Sequence, residues 1–139
     1  MLSTVRTCIR RASLVTVSVL LFVAGAAQAQ QWPLRTVRLV VPLVAGGPTD
    51  ILARLIAQPL GEKLGHQVVV DNRPGAGGNI GAEMVAKSPP DGHTLFMGTS
   101  GPMSINISLY PKLGYDPVRD FQAVTRLNSN PYIVCVSPS

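Results

Sequence analysis

Aromatic side chains, cysteine and histidine are all scarce in this chain: three Phe, three Tyr, one Trp, two Cys and two His in 139 residues. The core must therefore be built mostly of Val, Leu, Ile, Ala and Met. Of the two cysteines, Cys8 lies in a segment read below as a leader. Cys135 is then alone, and an intramolecular disulfide is impossible in the mature chain even though export permits one. Cys135 sits in the apolar run Tyr132–Val136 and is expected to be a small buried hydrophobe. His66 and His93 lie in turn contexts, with no local carboxylate or Cys spacing that suggests a metal site; both are expected on the solvated surface. No Gly-Lys-Ser/Thr sequence exists, which excludes a Walker A loop. Internal repeats, charge blocks and low-complexity linkers are also absent.

What is present begins with a leader. Arg6, Arg10 and Arg11 form a basic start without an acid, Leu14–Val23 is an apolar run, and small residues end in Ala27-Gln28-Ala29. That order describes a secretory signal peptide over residues 1–29, cut after Ala29. A membrane anchor is the alternative, but the run is short for a bilayer and wrongly flanked. No Cys follows the cut, so lipid attachment is not indicated. The formal charge of +5 owes much to the leader. Without it nine basic residues face seven acidic ones, about +2, which is no argument for a nucleic-acid partner. The destination implied is the periplasm.

The mature part is organised around Val37–Asp50, Val-Arg-Leu-Val-Val-Pro-Leu-Val-Ala-Gly-Gly-Pro-Thr-Asp. A β-branched strand (Val37–Val41) stops at Pro42, passes a double glycine, and meets Thr49-Asp50, a capping pair ahead of a helix. The first amides of a helix have no partner within it, so this is a socket for an anion or polar group; the alternative for Gly46-Gly47 is a tight turn without a ligand. The helix carries Ile51, Leu52, Leu55, Ile56 and Leu60 on roughly one face. Pro59 should kink or shorten it, and Gly61 or Gly65 can end it. Val68–Val70 is a second strand. The loop Asn72–Asn79 leads to a second helix from about Ile80 to Lys87, with Asn79 as its N-cap. A turn at Pro89-Pro90-Asp91-Gly92 precedes a third strand, Thr94–Met97, and a short helix is expected across Met103–Leu109. Gln122–Leu127 and Tyr132–Val136 resemble two further strands.

Strand, loop and helix in repetition argue an α/β fold with a mostly parallel sheet flanked by helices. Ligands of such sheets bind beyond the carboxyl ends of the strands. Pro42–Asp50, Asn72–Asn79 and Gly98–Pro102 all lie there, all rich in Gly and small polar residues, and together they predict a cleft. Its chemistry is narrowed by failed motifs. The run Gly75-Ala76-Gly77-Gly78-Asn79-Ile80 puts Ile where a dinucleotide fingerprint needs its third glycine, and an exported protein rarely meets NAD. Gly98-Thr99-Ser100-Gly101 is not a nucleophile elbow, so Ser100 reads as a hydrogen-bond donor or a plain loop residue, and catalysis is not expected. Backbone amides, hydroxyls and two helix N-termini suit a carboxylate. Arg73 could add a cation, or pair with Asp71 instead. No cofactor is implied.

These residues carry a resemblance. Trp32-Pro33, Val41-Pro42, Ala45-Gly46-Gly47-Pro48-Thr49-Asp50, Val70–Gly81, Pro90-Asp91-Gly92-His93-Thr94-Leu95 and Tyr115-Asp116-Pro117-Val118-Arg119-Asp120-Phe121 stand together in order. In this the chain resembles the Bug-type extracytoplasmic solute receptors of tripartite tricarboxylate transporters. The resemblance implies lobe 1 of a type II periplasmic-binding-protein-like fold that closes with a second lobe over a small carboxylate or dicarboxylate and delivers it to membrane permease subunits. Residues 30–130 would be the N-terminal ligand-binding lobe, incomplete, and 131–139 the start of the crossover to a second lobe; the chain reads as truncated. Ala45, Gly46, Gly47, Thr49 and Asp50 match the first ligand loop, Gly78 and Asn79 the second, and Thr99 and Ser100 the third. Asp50 is better a cap than a ligand to an anion, since like charges repel. Leu43-Val44 departs from the more usual Phe-Ala or Phe-Pro. Alternatives are a sensor receptor without a transport role, a non-functional truncated paralogue, and a small α/β enzyme.

Overall fold

A computed structural model describes residues 32–129, 131, 133 and 135–137. The leader expected over residues 1–29 lies outside them. Everything considered below belongs to the unit Pro33–Ser139. Three strands, β1 (Val37–Val41), β2 (Val68–Asn72) and β3 (Thr94–Phe96), form a parallel sheet in the order β2-β1-β3. Val37 pairs with Val68 and Leu39 with both Val70 and Leu95. β1 lies in the middle, with Val37, Val40 and Val41 fully buried, as its nearly unbroken β-branched run requires of a strand covered on both faces.

The crossover from β1 to β2 is helix α1 (Pro48–Leu64). Its inward residues Ala53 and Ala57, with Leu52, Ile56, Leu60 and Leu64, pack on Val37, Leu39, Val41, Val68 and Met97. The inward stripe is rotated from the one read in the sequence: Ile51 and Leu55 are 53% and 67% exposed. The two alanines take their place because a small side chain lets the helix approach the sheet. Pro59 does not shorten α1, which runs on to Gly65, left-handed at φ 69°. Pro59 and Leu55, whose carbonyl the proline leaves without an amide donor, both lie on the exposed side, where water can serve that carbonyl.

After β2, a turn of 3-10 helix (Ala76–Gly78) leads into α2 (Asn79–Ala86). After β3, a π-helical turn (Gly101–Ile105) runs into the single-turn α3 (Asn106–Leu109), in place of one short helix over Met103–Leu109. Gln122–Leu127 forms no strand. Side-chain packing reaches Phe121, whose ring stacks 5.5 Å from Phe96 and 5.9 Å from Tyr115; beyond it Val124 is 82% exposed. Alternating apolar residues make a strand only where a ladder partner accepts them, and this segment has none. Of Tyr132–Val136, two residues lie outside the described set, and the other three show no strand. Cys135 is exposed rather than buried.

Candidate functional site

All three strands point their carboxyl ends the same way, so the loops after them emerge together. Their bases touch. A Cβ built on Gly78 would stand 3.2 Å from the Cβ of Pro42 and 3.3 Å from the ring of Pro102. One residue from each loop therefore forms a packed floor, with Pro42 and Pro102 fully buried. The predicted convergence of the three loops is what the structure shows.

The first loop is tied down by Asp50. Helix α1 starts at Pro48, with Gly47 as N-cap and no side-chain cap; Thr49 and Asp50 are first-turn residues, not a capping pair. Asp50 is only 2% exposed. Its Oδ2 accepts the Gly46 amide at 2.8 Å and Arg54 Nε at 3.0 Å, and its Oδ1 accepts Asn72 Nδ2 at 3.0 Å. Asn72 Nδ2 also reaches the Leu43 carbonyl at 3.2 Å, and Arg54 Nη2 reaches Asn72 Oδ1 at 3.3 Å. The loop, the helix start and the end of β2 are thus knotted on one carboxylate. Arg54, then Gly46 and Asn72, hold that carboxylate in its charged form and lower its pKa to about 2. The Gly46 amide is consumed by this knot. Pro48 has no N–H and the Ile51 amide returns to the Gly47 carbonyl, so Thr49 and Asp50 carry the first amides of α1 that have no acceptor within the helix.

The second loop is left-handed over four residues, Gly75, Ala76, Gly77 and Gly78, with φ of 126°, 47°, 64° and 93°. The Gly78 amide donates to the Gly75 carbonyl at 2.9 Å and that of Asn79 to the Ala76 carbonyl. Gly78, not Asn79, is the N-cap of α2. Asn79 is turned inward, 8% exposed. Its Oδ1 accepts Asn106 Nδ2 at 2.6 Å and the Tyr115 hydroxyl at 2.8 Å; Asn106 Nδ2 also reaches the Gly77 carbonyl, and Tyr115 also lies 2.8 Å from the Pro102 carbonyl. This buried node joins the second and third loops. Burial raises the Tyr115 pKa, which keeps the hydroxyl a donor with one proton for two acceptors. Replacing Tyr115 by Phe should remove the one donor these two oxygens share, with Asn79 Oδ1 keeping Asn106 Nδ2, and cost about 1–2 kcal/mol, read as a lower urea midpoint.

In the third loop the Thr99 carbonyl accepts the Met103 amide at 3.1 Å; Thr99 is half-buried and Ser100 exposed. Ala45 and Gly46 are exposed at the first loop, Gly47 and Thr49 half-buried. Among the residues expected at the site, then, Ala45, Gly46 and Ser100 are exposed, Gly47, Thr49 and Thr99 half-buried, and Asp50, Gly78 and Asn79 buried. Arg73 is committed to Asp71, at 2.9 and 3.0 Å. Arg54, Asn72, Asn106 and Tyr115 were not anticipated. Arg54 had a signal, four residues after Asp50 on a helix; Asn106 and Tyr115 had none, lying 27 and 36 residues from Asn79. Among the described residues, no group of three His, Cys, Asp or Glu could hold a metal.

The candidate site is a helix start and small loop residues on a packed floor at the carboxyl end of a parallel sheet. That is the design of an α/β solute-binding lobe. The chain belongs to the TctC family, the tripartite tricarboxylate transporter family receptor, whose profile matches residues 52–139. It is 38% identical over 117 residues to Protein BugT of Bordetella pertussis, a match covering 84% of this chain and 36% of that protein. The R. palustris protein Rpa4515, solved with adipate, is 53% identical with a TM-score of 0.60, over 63% of this chain and 29% of that one. MatC from Rhodopseudomonas palustris, solved with bound malate, is 47% identical with a TM-score of 0.62, over 65% and 31%. The chain spans about a third of the length of the curated relatives it matches. The family is one of periplasmic solute receptors, not of enzymes.

Proposed function

We propose that this chain supplies the ligand-receiving lobe of a periplasmic receptor for a small carboxylate or dicarboxylate, which passes its solute to the membrane permease of a tripartite tricarboxylate transporter. One observation carries the reading. The start of α1 follows a loop whose base joins a floor where three loops meet, and the carboxylate beside it, Asp50, is saturated by Arg54, Asn72 and Gly46. An arriving anion therefore meets helix-start donors rather than an unbalanced negative charge. Adipate and malate, held by two similar proteins, belong to the ligand class this favours. Ala45, Gly47, Thr49, Thr99 and Ser100 are the contacting residues in this reading, with Gly46, Asp50, Gly78 and Asn79 holding them in place. Residues 30–130 make up the lobe and 131–139 begin the passage to a second lobe, whose closure completes capture.

Titrating the isotope-labelled chain with adipate, malate and neutral adipamide tests this. The expected result is millimolar binding of the two diacids, with amide shifts centred on Ala45–Asp50 and Thr99–Ser100, and none with adipamide. One lobe offers half of the contacts, so affinity far below that of a closed two-lobed receptor is expected. Equal shifts with adipamide, or shifts confined to other surfaces, would remove the carboxylate assignment.

A further inference from the structure

Four polar side chains are buried in the described chain: Asp50, Asn79, His93 and Asn106. His93, expected at the surface, accepts the Leu34 amide on Nε2 at 3.2 Å and fastens the entry to β1; Asp50 holds the first loop. Asn79 and Asn106 meet each other, and which way round their amides sit is dictated from outside the pair. The Gly77 carbonyl can only accept, so the atom of Asn106 that faces it at 3.1 Å is the amide nitrogen Nδ2. The same nitrogen lies 2.6 Å from the amide of Asn79, which must answer with its oxygen. A backbone carbonyl thus sets one amide and, through it, the next. The price is an open donor. Asn79 Nδ2 carries two N–H groups and enters none of the hydrogen bonds of the described residues, although Asn79 is more than nine-tenths buried. Turned round, the amide would give Nδ2 the Tyr115 oxygen as acceptor, with the Tyr115 proton going to the Pro102 carbonyl 2.8 Å away. Asn106 is what prevents the turn.

We propose that Asn106 is a positioning residue for the ligand floor: it fixes the polarity of the Asn79 amide so that a donor, not an oxygen, is presented to an arriving carboxylate. The proposal rests on the carboxylate reading above. A donor held open in a packed floor calls for an acceptor from outside. It is not sealed off, because no atom of Asn79 is both closed to solvent and without a partner. Gly78, the residue before Asn79, packs against Pro42 and Pro102, which puts Asn79 beside the junction of the three loops. A carboxylate oxygen accepts what Nδ2 offers, whereas the reversed amide would set oxygen against oxygen. Tyr115 cannot make the choice, since a hydroxyl both donates and accepts and so suits either orientation. The discrimination belongs to Asn106, and behind it to the Gly77 carbonyl.

NMR of the side-chain amides tests this, first without ligand. In the wild type the NH₂ protons of Asn79 should exchange with water about fivefold faster than those of Asn106, whose nitrogen has two acceptors. Equal or slower exchange at Asn79 overturns the proposal. Asn106→Asp puts an acceptor where a donor stood, so Asn79 should turn round, and its NH₂ exchange should slow about fivefold. A node that was merely loosened would exchange faster, and unslowed exchange overturns the proposal. Titration with adipate follows. The Asn79 side-chain signals should shift together with Ala45–Asp50 in the wild type, and affinity should fall about tenfold in Asn106→Asp. Asn106→Ala frees Asn79 to turn without adding a charge and should weaken adipate as well; wild-type affinity in both variants overturns the proposal. Adipate shifts at Ala45–Asp50 without Asn79 overturn it while sparing the carboxylate reading, and shifts at neither place remove both. Should the variants fail to fold, the wild-type exchange rates and shifts decide alone.

Discussion

Gly78→Ala should unfold this lobe more readily than any other glycine substitution in the three convergent loops, by about 3 kcal/mol, or about 15 °C in Tm. Two costs add. Gly78 sits at φ 93° and ψ −2°, a left-handed conformation that charges any L side chain about 1 kcal/mol. The new methyl would also stand 3.2 Å from the Cβ of Pro42 and 3.3 Å from Cδ and Cγ of Pro102. Both neighbours are rigid rings and fully buried, so neither can rotate aside, and the strain passes to the backbone of the first or third loop. Gly46→Ala separates the two costs. Gly46 is also left-handed, at φ 82°, but nothing lies within 4 Å of its Cβ position. That variant should lose only the backbone part, about 1 kcal/mol. Urea midpoints for the pair measure the difference. Equal losses would mean that the three loops do not share a packed floor.

That floor explains why part of this molecule can be read along the chain and part cannot. The β-branched run to Pro42, the glycine loops and the helix patterns are local, and they placed β1, β2, β3, the parallel order of connections and the three convergent loops. Errors arose where a residue's partner lies elsewhere in the sequence. Asp50 and Asn79 have the chemistry of N-caps, yet glycines cap both helices because Asp50 is drawn to Asn72 and Arg54, and Asn79 to Asn106 and Tyr115. His93 reads as a turn residue until Leu34 arrives at its ring. Ile51 and Leu55 fit the periodicity of a buried stripe, but Ala53 and Ala57 lie inside, because closeness of helix to sheet, not hydrophobicity alone, selects the face. Gln122–Leu127 has strand composition without a strand to pair with.

Asp50→Asn should destabilise the lobe at neutral pH and remove one specific piece of its acid response. The carboxylate accepts from three side-chain or backbone donors at once, on both oxygens. An amide has one acceptor, and its NH₂ must then face either Asn72 Nδ2 or the Gly46 and Arg54 donors, all of which donate. One side of the knot is lost whichever way it turns, and the charge facing Arg54 goes with it. The sign of the pH effect follows from the direction of the shift. Folding lowers the Asp50 pKa from 3.8 to about 2, so the folded chain holds its proton less tightly than the unfolded one. The stabilisation is therefore complete above about pH 5 and is withdrawn as pH falls through 3.8 toward 2 and below. Urea midpoints taken across that window should drop in the wild type and drop less in Asp50→Asn, the two curves converging at the acid end. Parallel curves would mean that Asp50 is not the titrating clamp. The Gly46 amide gives a second, local reading. It should exchange slowly at pH 7 in the wild type and quickly in the variant, while the Met97 amide, bonded to the Val40 carbonyl at 2.8 Å in the sheet, stays protected in both. A first loop that keeps Gly46 protected without the carboxylate would be held by something other than Asp50.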